Sequence, residues 1–284
     1  MNRYVKVDAW LKDILVDPLD KGSLTIGDAY IRSSYGRQYP ITKGIYDLRL
    51  LTQHKGVVGS LWNQGQQAYE HWSGSLSSCN SKDFYRNEKE SVRDVYEAIP
   101  IEGRCLDIGG HQGRLQEYLA ENQEYVSIDP FLDVFEGLGS QHSLREVFPS
   151  LKRPVNFVCA LAEHLPLKNE SFDTAHMRSC IDHFYNPEIA LLEAYRVLKV
   201  GGQLVVGLYV EGGRTGELTV KEKIKESVRP IISLVASQYR DHHVWHPTYA
   251  ELCALIEGIG FRIERTHWQR SFVDRVCYVK AIKY

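Results

Sequence analysis

The chain has 284 residues, of which 43% are hydrophobic and 25% charged, and its formal net charge is −2. These proportions are ordinary for a globular protein with a sizeable core, and one α/β unit with extensions can fill this length. The near-neutral charge excludes a global positive field that would gather long nucleic acid, and every apolar run falls short of the roughly 20 residues that span a bilayer.

The six cysteines are scattered along the chain, and none lies within a C-x-x-C pair. We therefore expect neither a disulfide framework nor a cysteine-ligated metal. Free cysteines inside apolar strands are typical of a reducing compartment, and acidic residues near the start do not fit a signal peptide. A cytoplasmic location is expected.

Three regions of the chain differ in composition and in hydrophobic pattern. Residues 1–50 are turn-rich and strand-like, which predicts a small N-terminal β-rich domain. Residues 51–100 are polar and are expected to form a helical connector that covers the active site. From residue 101 to 284, apolar strands alternate with helical patterns, which predicts one larger domain with an insertion at 211–247.

The larger domain carries the clearest periodicity. Helices are predicted at 189–198, where Gly201 and Gly202 are expected to end the helix, and at 248–257. This alternation predicts a doubly wound, mostly parallel sheet of seven strands, with one antiparallel edge strand. The strands are predicted at 104–108, 125–128, 155–160, 172–177, 203–209, 261–266 and 275–282.

A glycine turn follows the first of these strands. Gly109 and Gly110 close the strand, and apolar residues at helical spacing from Leu115 onward predict a helix directly after the turn. Glycines let a backbone approach a ligand closely, and the free N–H groups at a helix start favour a carboxylate or phosphate. The next strand ends in Asp129, which can accept hydrogen bonds from both hydroxyls of a ribose. A tight turn that binds no ligand remains an alternative. A dinucleotide site is disfavoured because Gly109, Gly110 and Gly113 do not have the spacing G-x-G-x-x-G.

Four segments resemble, in order, the motifs of class I S-adenosylmethionine (SAM) methyltransferases of the type 11 kind. The resemblance covers roughly residues 101–210 and implies a Rossmann-like fold, SAM as the cofactor and methyl transfer as the reaction. The segments are 106–115 (LDIGGHQGRL), 127–129 (SID), 162–173 (AEHLPLKNESFD) and 196–202 (RVLKVGG).

The resemblance also implies a role for each matching residue. Asp129 would bind the ribose hydroxyls, Ala162 would offer its backbone N–H to adenine, and Arg178 and Ser179 would lie beside the sulfonium. The full set of implied cofactor-binding residues is Asp107, Gly109, Gly110, His111, Gly113, Asp129, Pro130, Leu161, Ala162, Glu163, Arg178 and Ser179.

Two residues depart from the motifs of this family. His111 stands where the family usually has glycine, so its side chain must either point away from the cofactor or contact the methionine carboxylate. Leu161 stands where an aspartate often reads the adenine amino group, so adenine would be held by backbone and packing alone.

The N-terminal segments 14–22, 36–41 and 44–45 resemble the small zinc-ribbon-like domain of tRNA-methyltransferase activator subunits. The cysteines of zinc-binding members are replaced by residues that cannot form a sulfur-rich tetrahedral site, so we expect no metal there. Packing, formation of a homodimer and substrate presentation are the roles left open for this segment. The replacing residues are Asp17, Asp20, Arg32 and Tyr35.

The acceptor is expected beside the loop that follows the fourth strand. His183 is the candidate general base because an imidazole titrates near neutral pH, although a structural histidine is the alternative. Asp182 and Tyr185 beside it, and His242 and His243 before the last helix, are expected to contact the substrate. No further ligands lie close in sequence to those histidines, so no metal site is expected.

Three functions stay open at this point. The first is methyl transfer to an oxygen or nitrogen of a small polar molecule, such as a sugar or nucleotide-sugar. An RNA methyltransferase is the second, because of the ribbon-like N-terminus. The third is a non-catalytic binding protein on a degenerate methyltransferase fold, which His111 and Leu161 motivate.

Overall fold

The computed structural model describes residues 2–50, 62–67, 81–217, 220, 223–224, 227–228, 243–272 and 274–284. Its strands are β1 (Val5–Lys6), β2 (Leu24–Ile26), β3 (Tyr30–Ser33), β4 (Gln38–Thr42), β5 (Ile45–Asp47), β6 (Cys105–Ile108), β7 (Tyr125–Asp129), β8 (Val155–Cys159), β9 (Phe172–Arg178), β10 (Leu198–Tyr209), β11 (Phe261–Trp268) and β12 (Val276–Lys283). Its α-helices include α1 (Ala9–Ile14), α2 (Lys82–Ser91), α3 (Arg93–Ala98), α4 (His142–Val147), α5 (Pro187–Val197) and α6 (Tyr249–Ile259). Residues 62–67 are also helical.

The central part of the sheet has the order β11-β12-β10-β9-β6-β7-β8. The pairings among β6 to β10 are parallel, whereas β12 is antiparallel to both β10 and β11. The expected Rossmann-like, mostly parallel α/β sheet is thus confirmed. Its antiparallel strand lies one place in from the edge, because the short connection from β11 into β12 permits only antiparallel pairing.

The strands β6, β7 and β8 are buried along their whole length. Strands covered on both faces read as continuous apolar runs, which explains why their positions were visible in the sequence. Since these strands and β9 are parallel, the loops that follow them meet at one edge of the sheet. That edge is where open α/β sheets bind ligands.

Two sequence predictions about helices differ from the structure. After β6 the chain forms only a short 3-10 helix, Arg114–Tyr118, preceded by Gly113 at a φ of 82°. This short 3-10 helix replaces the α-helix expected after the turn, and the anion site expected at its start stays a prediction. Helix α5 ends at Val197, and Gly201 and Gly202 lie inside β10, where a register shift marks an irregularity that glycine accommodates. In the described part of the chain, no helix has the length and apolar character needed to cross a membrane.

The N-terminal residues extend the same sheet. Both β1 and β5 pair in parallel with β8, and the order continues through β5-β4-β3-β2. Leu11, Leu15 and Leu48 belong to the hydrophobic core that contains the central strands. The division into domains at 1–50, 51–100 and 101–284, with an insertion at 211–247, stays a prediction.

Candidate functional site

The loop after β6 is a backbone cradle. Gly109 has a φ of 70°, and a Cβ built there would lie 2.7 Å from the Cβ of Cys180. A Cβ on Gly110 would lie 2.5 Å from Oδ2 of Asp107. Neither position can take a side chain without a shift of its neighbours, so only glycine lets this backbone lie so close to the residues around it.

Asp107 supports the cradle from a buried polar network. Its Oδ1 is 2.7 Å from Nδ1 of His176, and its Oδ2 accepts a 2.6 Å hydrogen bond from the hydroxyl of Tyr125. Nε2 of His176 lies 3.2 Å from the hydroxyl of Tyr96. Burial raises the pKa of both tyrosines, so the hydroxyls keep their protons. A carboxylate held at both oxygens fixes the loop above it.

Asp129 ends β7 beside the cradle. Its Oδ2 accepts a 3.1 Å hydrogen bond from the backbone N–H of His111, and its Oδ1 accepts one of 3.2 Å from Phe131. Burial raises the pKa of this carboxyl to about 7. An ionised carboxylate has about four acceptor positions, so Asp129 retains capacity for two more donors.

A cavity, here called the first cavity, opens at the ends of β6 to β9 on the Asp129 side of the cradle. Its walls are largely apolar, and they bring together most of the residues predicted after β7, β8 and β9. Several lining residues were not predicted from sequence, among them Trp62, Phe131 and Phe184. The lining residues are Trp62, Gln66, Ile108, Gly109, His111, Ile128, Asp129, Pro130, Phe131, Ala160, Leu161, Ala162, Glu163, Ser179, Cys180, His183 and Phe184.

The second cavity lies on the Asp107 side of the cradle and is polar. The guanidinium of Arg114 donates 2.8 Å hydrogen bonds to both carboxylate oxygens of Glu88. Among the described residues, only Gly109, His111 and Ser179 line both cavities. The lining residues are Glu88, Tyr96, Asp107, Gly109, Gly110, His111, Arg114, Leu115, His176, Arg178 and Ser179.

His111 has a φ of 49°, in the left-handed region that residues with a Cβ adopt uncommonly. Its N–H donates to Asp129, and its carbonyl accepts a 2.9 Å hydrogen bond from the hydroxyl of Ser127. Burial, together with the nearby charge of Arg114, lowers the pKa of the imidazole to about 3. His111 is therefore neutral at physiological pH.

The loop after β9 meets the segment before α6. The backbone N–H of Val244 donates a 2.7 Å hydrogen bond to the carbonyl of Asp182. Nε2 of His243 lies 3.4 Å from Oδ2 of Asp182, Nε2 of His183 lies 3.9 Å from Oδ1, and the two imidazoles stack at 4.2 Å. Asp182, His183 and His243, here called the acid–histidine cluster, thus bring together loops that are distant in sequence. Their ligand atoms lie within 4.8 Å of one another, although the absence of a metal stays the prediction.

Four further predicted residues line neither cavity, namely Gly113, Asp182, Tyr185 and His243. The ring of Tyr185 contacts that of Trp62 edge to face at 6.2 Å. A Cβ on Gly113 would lie 2.9 Å from Cγ2 of Val155, so this glycine permits packing against the sheet. Asp182 and His243 lie next to His183 in the acid–histidine cluster, and His242 lies outside the described residues.

Comparison with known proteins agrees with this geometry. A family model described as a methyltransferase domain matches residues 106–206. The ubiquinone/menaquinone biosynthesis C-methyltransferase UbiE of Rhizobium etli is 32% identical over 189 residues, which cover 65% of this chain and 67% of that protein. The chain belongs to the SAM-dependent methyltransferases. The methyltransferase accordingly uses SAM as its cofactor.

Other relatives are similar over shorter stretches. The mitochondrial 2-methoxy-6-polyprenyl-1,4-benzoquinol methylase of Caenorhabditis elegans is 31% identical over 114 residues, which are 38% of each protein. The methyltransferase therefore matches less than two thirds of that relative's length. Among solved structures, the [4+2]-cyclase SpnF has a TM-score of 0.54 at 16% identity, with 78% of this chain and 96% of SpnF covered. That likeness concerns the fold alone.

Proposed function

We propose that the methyltransferase binds SAM across both cavities, with the adenosine part in the first. The observation that carries this proposal is Asp129, a buried carboxylate with acceptor capacity left for two ribose hydroxyls. The apolar walls at Ile128, Ala160 and Leu161 suit the adenine ring beside it. Because Leu161 cannot bond the adenine amino group, packing and the backbone at Ala162 hold the ring.

The amino-acid part of SAM then falls in the second cavity. Arg114 is bound to Glu88, whereas within the described residues Arg178 forms no ion pair. Arg178 is therefore the cation available for the carboxylate of the amino-acid part. On this proposal Arg178 binds the carboxylate, whereas the family resemblance implied a position beside the sulfonium.

When bound, SAM supplies a methyl group on a positively charged sulfur. We propose that the acceptor is a hydroxyl on a small ring molecule, because His183 lines the first cavity and its Nε2 lies 3.9 Å from Oδ1 of Asp182. The acceptor proton passes to the imidazole of His183, and Asp182 stabilises the imidazolium that forms. Positioning and exclusion of water are the other contributions of the chain.

The aromatic side chains near His183 bear on the class of acceptor. Phe184 lines the first cavity, and Trp62 and Tyr185 contact each other beside it. Aromatic faces pack well against a flat ring, and two relatives are named for quinone biosynthesis and benzoquinol methylation. We therefore favour a quinol-type acceptor, whose hydroxyl is more acidic than a sugar hydroxyl. A sugar or nucleotide-sugar is the second class to assay.

The cofactor assignment is tested by Asp129→Ala. We expect SAM affinity to fall about 100-fold, because two hydrogen bonds to a charged group are lost. Isothermal titration calorimetry measures the change, with the exposed His142→Ala as the matched control. An unchanged affinity in Asp129→Ala would contradict the assignment.

The acceptor site is tested by His183→Ala. Loss of a general base lowers kcat by about 10²- to 10⁴-fold, while SAM affinity stays near that of the wild type. Turnover is measured with hydroquinones and with nucleotide-sugars by following S-adenosylhomocysteine (SAH) release. Full turnover in this variant would rule out the base, and methylation of sugars alone would rule out the quinol class.

A further inference from the structure

The first and second cavities meet at a junction beside the glycine cradle. Gly109, His111 and Ser179 line both cavities, and only His111 contributes a ring. SAM carries its sulfur between the adenosine and the amino-acid parts. On the proposed function, on which this inference rests, the sulfur therefore lies at the junction.

The side chain at this junction is held there against a backbone preference. His111 adopts a φ of 49°, which for a residue with a Cβ costs about 1–2 kcal/mol. Hydrogen bonds from its N–H to Asp129 and from Ser127 to its carbonyl maintain that conformation. A glycine would adopt it freely, so the structure keeps a ring where none is needed for the turn.

The charge state of this ring suits a cation. Burial, together with the nearby charge of Arg114, lowers the pKa of the imidazole and keeps it neutral at the junction of the two cavities. A neutral aromatic ring attracts a cation through its π face, whereas an imidazolium would repel one.

We propose that His111 selects the positively charged cofactor over its neutral demethylated product by direct contact with the sulfonium. SAM and SAH share their adenosine and amino-acid parts and differ by one methyl group and one charge. The ratio of their affinities therefore isolates the contribution of the sulfur position. Selection of this kind favours release of SAH after each turnover.

The test compares SAM and SAH binding in the wild type, in His111→Gly and in His111→Asn by calorimetry. Asparagine tolerates the left-handed backbone, so the two variants separate the ring from the backbone effect. We expect the preference for SAM over SAH to fall about fivefold in both variants, with SAH affinity kept or increased. A SAM analogue that carries a charged amine on a carbon in place of the sulfonium should bind the two variants more weakly than it binds the wild type, as SAM does.

Several results of these binding measurements would overturn the proposal. An unchanged ratio in both variants overturns the proposal, and so does an equal gain for SAM and SAH, which would make His111 a steric barrier. The ratio of SAM affinity to SAH affinity in the wild type should be the same at pH 6 and at pH 8, because Asp129 contacts the part that both ligands share. A ratio that differs between the two pH values would show that the imidazole titrates, and it would overturn the proposal. Failure of the wild type to bind either ligand contradicts the proposed function instead. His142→Ala serves as the control, and SAH binding shows that each variant is folded.

Discussion

At the scale of single residues, Asp129 combines burial with a functional position. Burial raises the pKa of this carboxyl to about 7, and two backbone N–H groups already bond to it. Ribose hydroxyls would donate to the ionised form. Binding of SAM below pH 7 must therefore release a proton, which couples affinity to pH.

We predict that SAM affinity rises with pH up to about 7 and is level above it. The raised pKa means that the unliganded carboxyl is protonated below pH 7, so binding there loses up to about tenfold per pH unit. Calorimetry at pH 5.5, 6.5, 7.5 and 8.5 measures the slope. Asp129→Asn should bind weakly with a flat profile; the same slope in that variant would show that another group titrates.

The residues of the cradle and Asp129 could be predicted because short stretches of sequence encode them. Gly109 and Gly110 directly follow the apolar strand β6, Asp129 ends the apolar strand β7, and parallel strands bring their ends together. His176 was missed, although a lone histidine inside the apolar strand β9 was a visible signal. Its partner Asp107 lies on the neighbouring strand, and that pairing depends on the register between β6 and β9.

At the scale of elements, the N-terminal strands reach the cofactor loop. Arg49 follows β5, donates 2.7 Å hydrogen bonds to both oxygens of Asp47, and donates one of 3.0 Å to the carbonyl of Pro130. Pro130 lines the first cavity next to Asp129. Arg49 thus positions the loop without lining either cavity.

We predict that Arg49→Ala raises the KM for SAM about tenfold and leaves kcat nearly unchanged, because one charge-assisted hydrogen bond to the loop is lost. Arg49→Lys should be intermediate, since lysine cannot reproduce the forked contact with Asp47. Steady-state kinetics measures both constants, with Lys43→Ala on the surface as the control. A fall in kcat with KM constant would place Arg49 in a different role.

The acid–histidine cluster joins residues that are distant in sequence, and such contacts cannot be predicted from spacing along the chain. The metal prediction was negative because no further ligands lie near His243 in sequence. The structure brings Asp182 and His183 to that histidine from the loop after β9. Contacts between these loops depend on how α6 packs against α5 and β11, and neither periodicity nor spacing encodes that packing.

At the scale of the whole molecule, the N-terminal segment and the sheet share one core. Leu11 and Ile31 belong to the same cluster as Phe172 and Ala190. The ring of Trp10 packs against that of Phe172 at 6.4 Å. Since a shared core couples the parts, the molecule should unfold as one unit despite its length.

An ion pair stabilises the N-terminal segment that was expected to resemble a zinc ribbon without its cysteines. Asp17 is buried, and its Oδ2 accepts hydrogen bonds of 2.9 Å from Arg37 and 3.0 Å from the hydroxyl of Tyr39. Arg37 also contacts Asp20. Although burial opposes ionisation, these hydrogen bonds lower the pKa of Asp17, so the carboxylate stays charged. The guanidinium of Arg37 therefore bridges Asp17 and Asp20, two of the positions at which the resemblance implied cysteines in zinc-binding members.

We predict that Arg37→Ala lowers the free energy of unfolding of the whole protein by about 1–3 kcal/mol, because it leaves the Asp17 charge buried without its main partner. Urea unfolding is followed by far-UV circular dichroism and by fluorescence in a background whose sole tryptophan is Trp10. Both midpoints should coincide and should fall together, while Arg32→Ala on the exposed face of β3 changes stability by less than about 0.5 kcal/mol. A fluorescence transition that precedes the dichroism transition would instead show that the N-terminal segment unfolds as a separate domain.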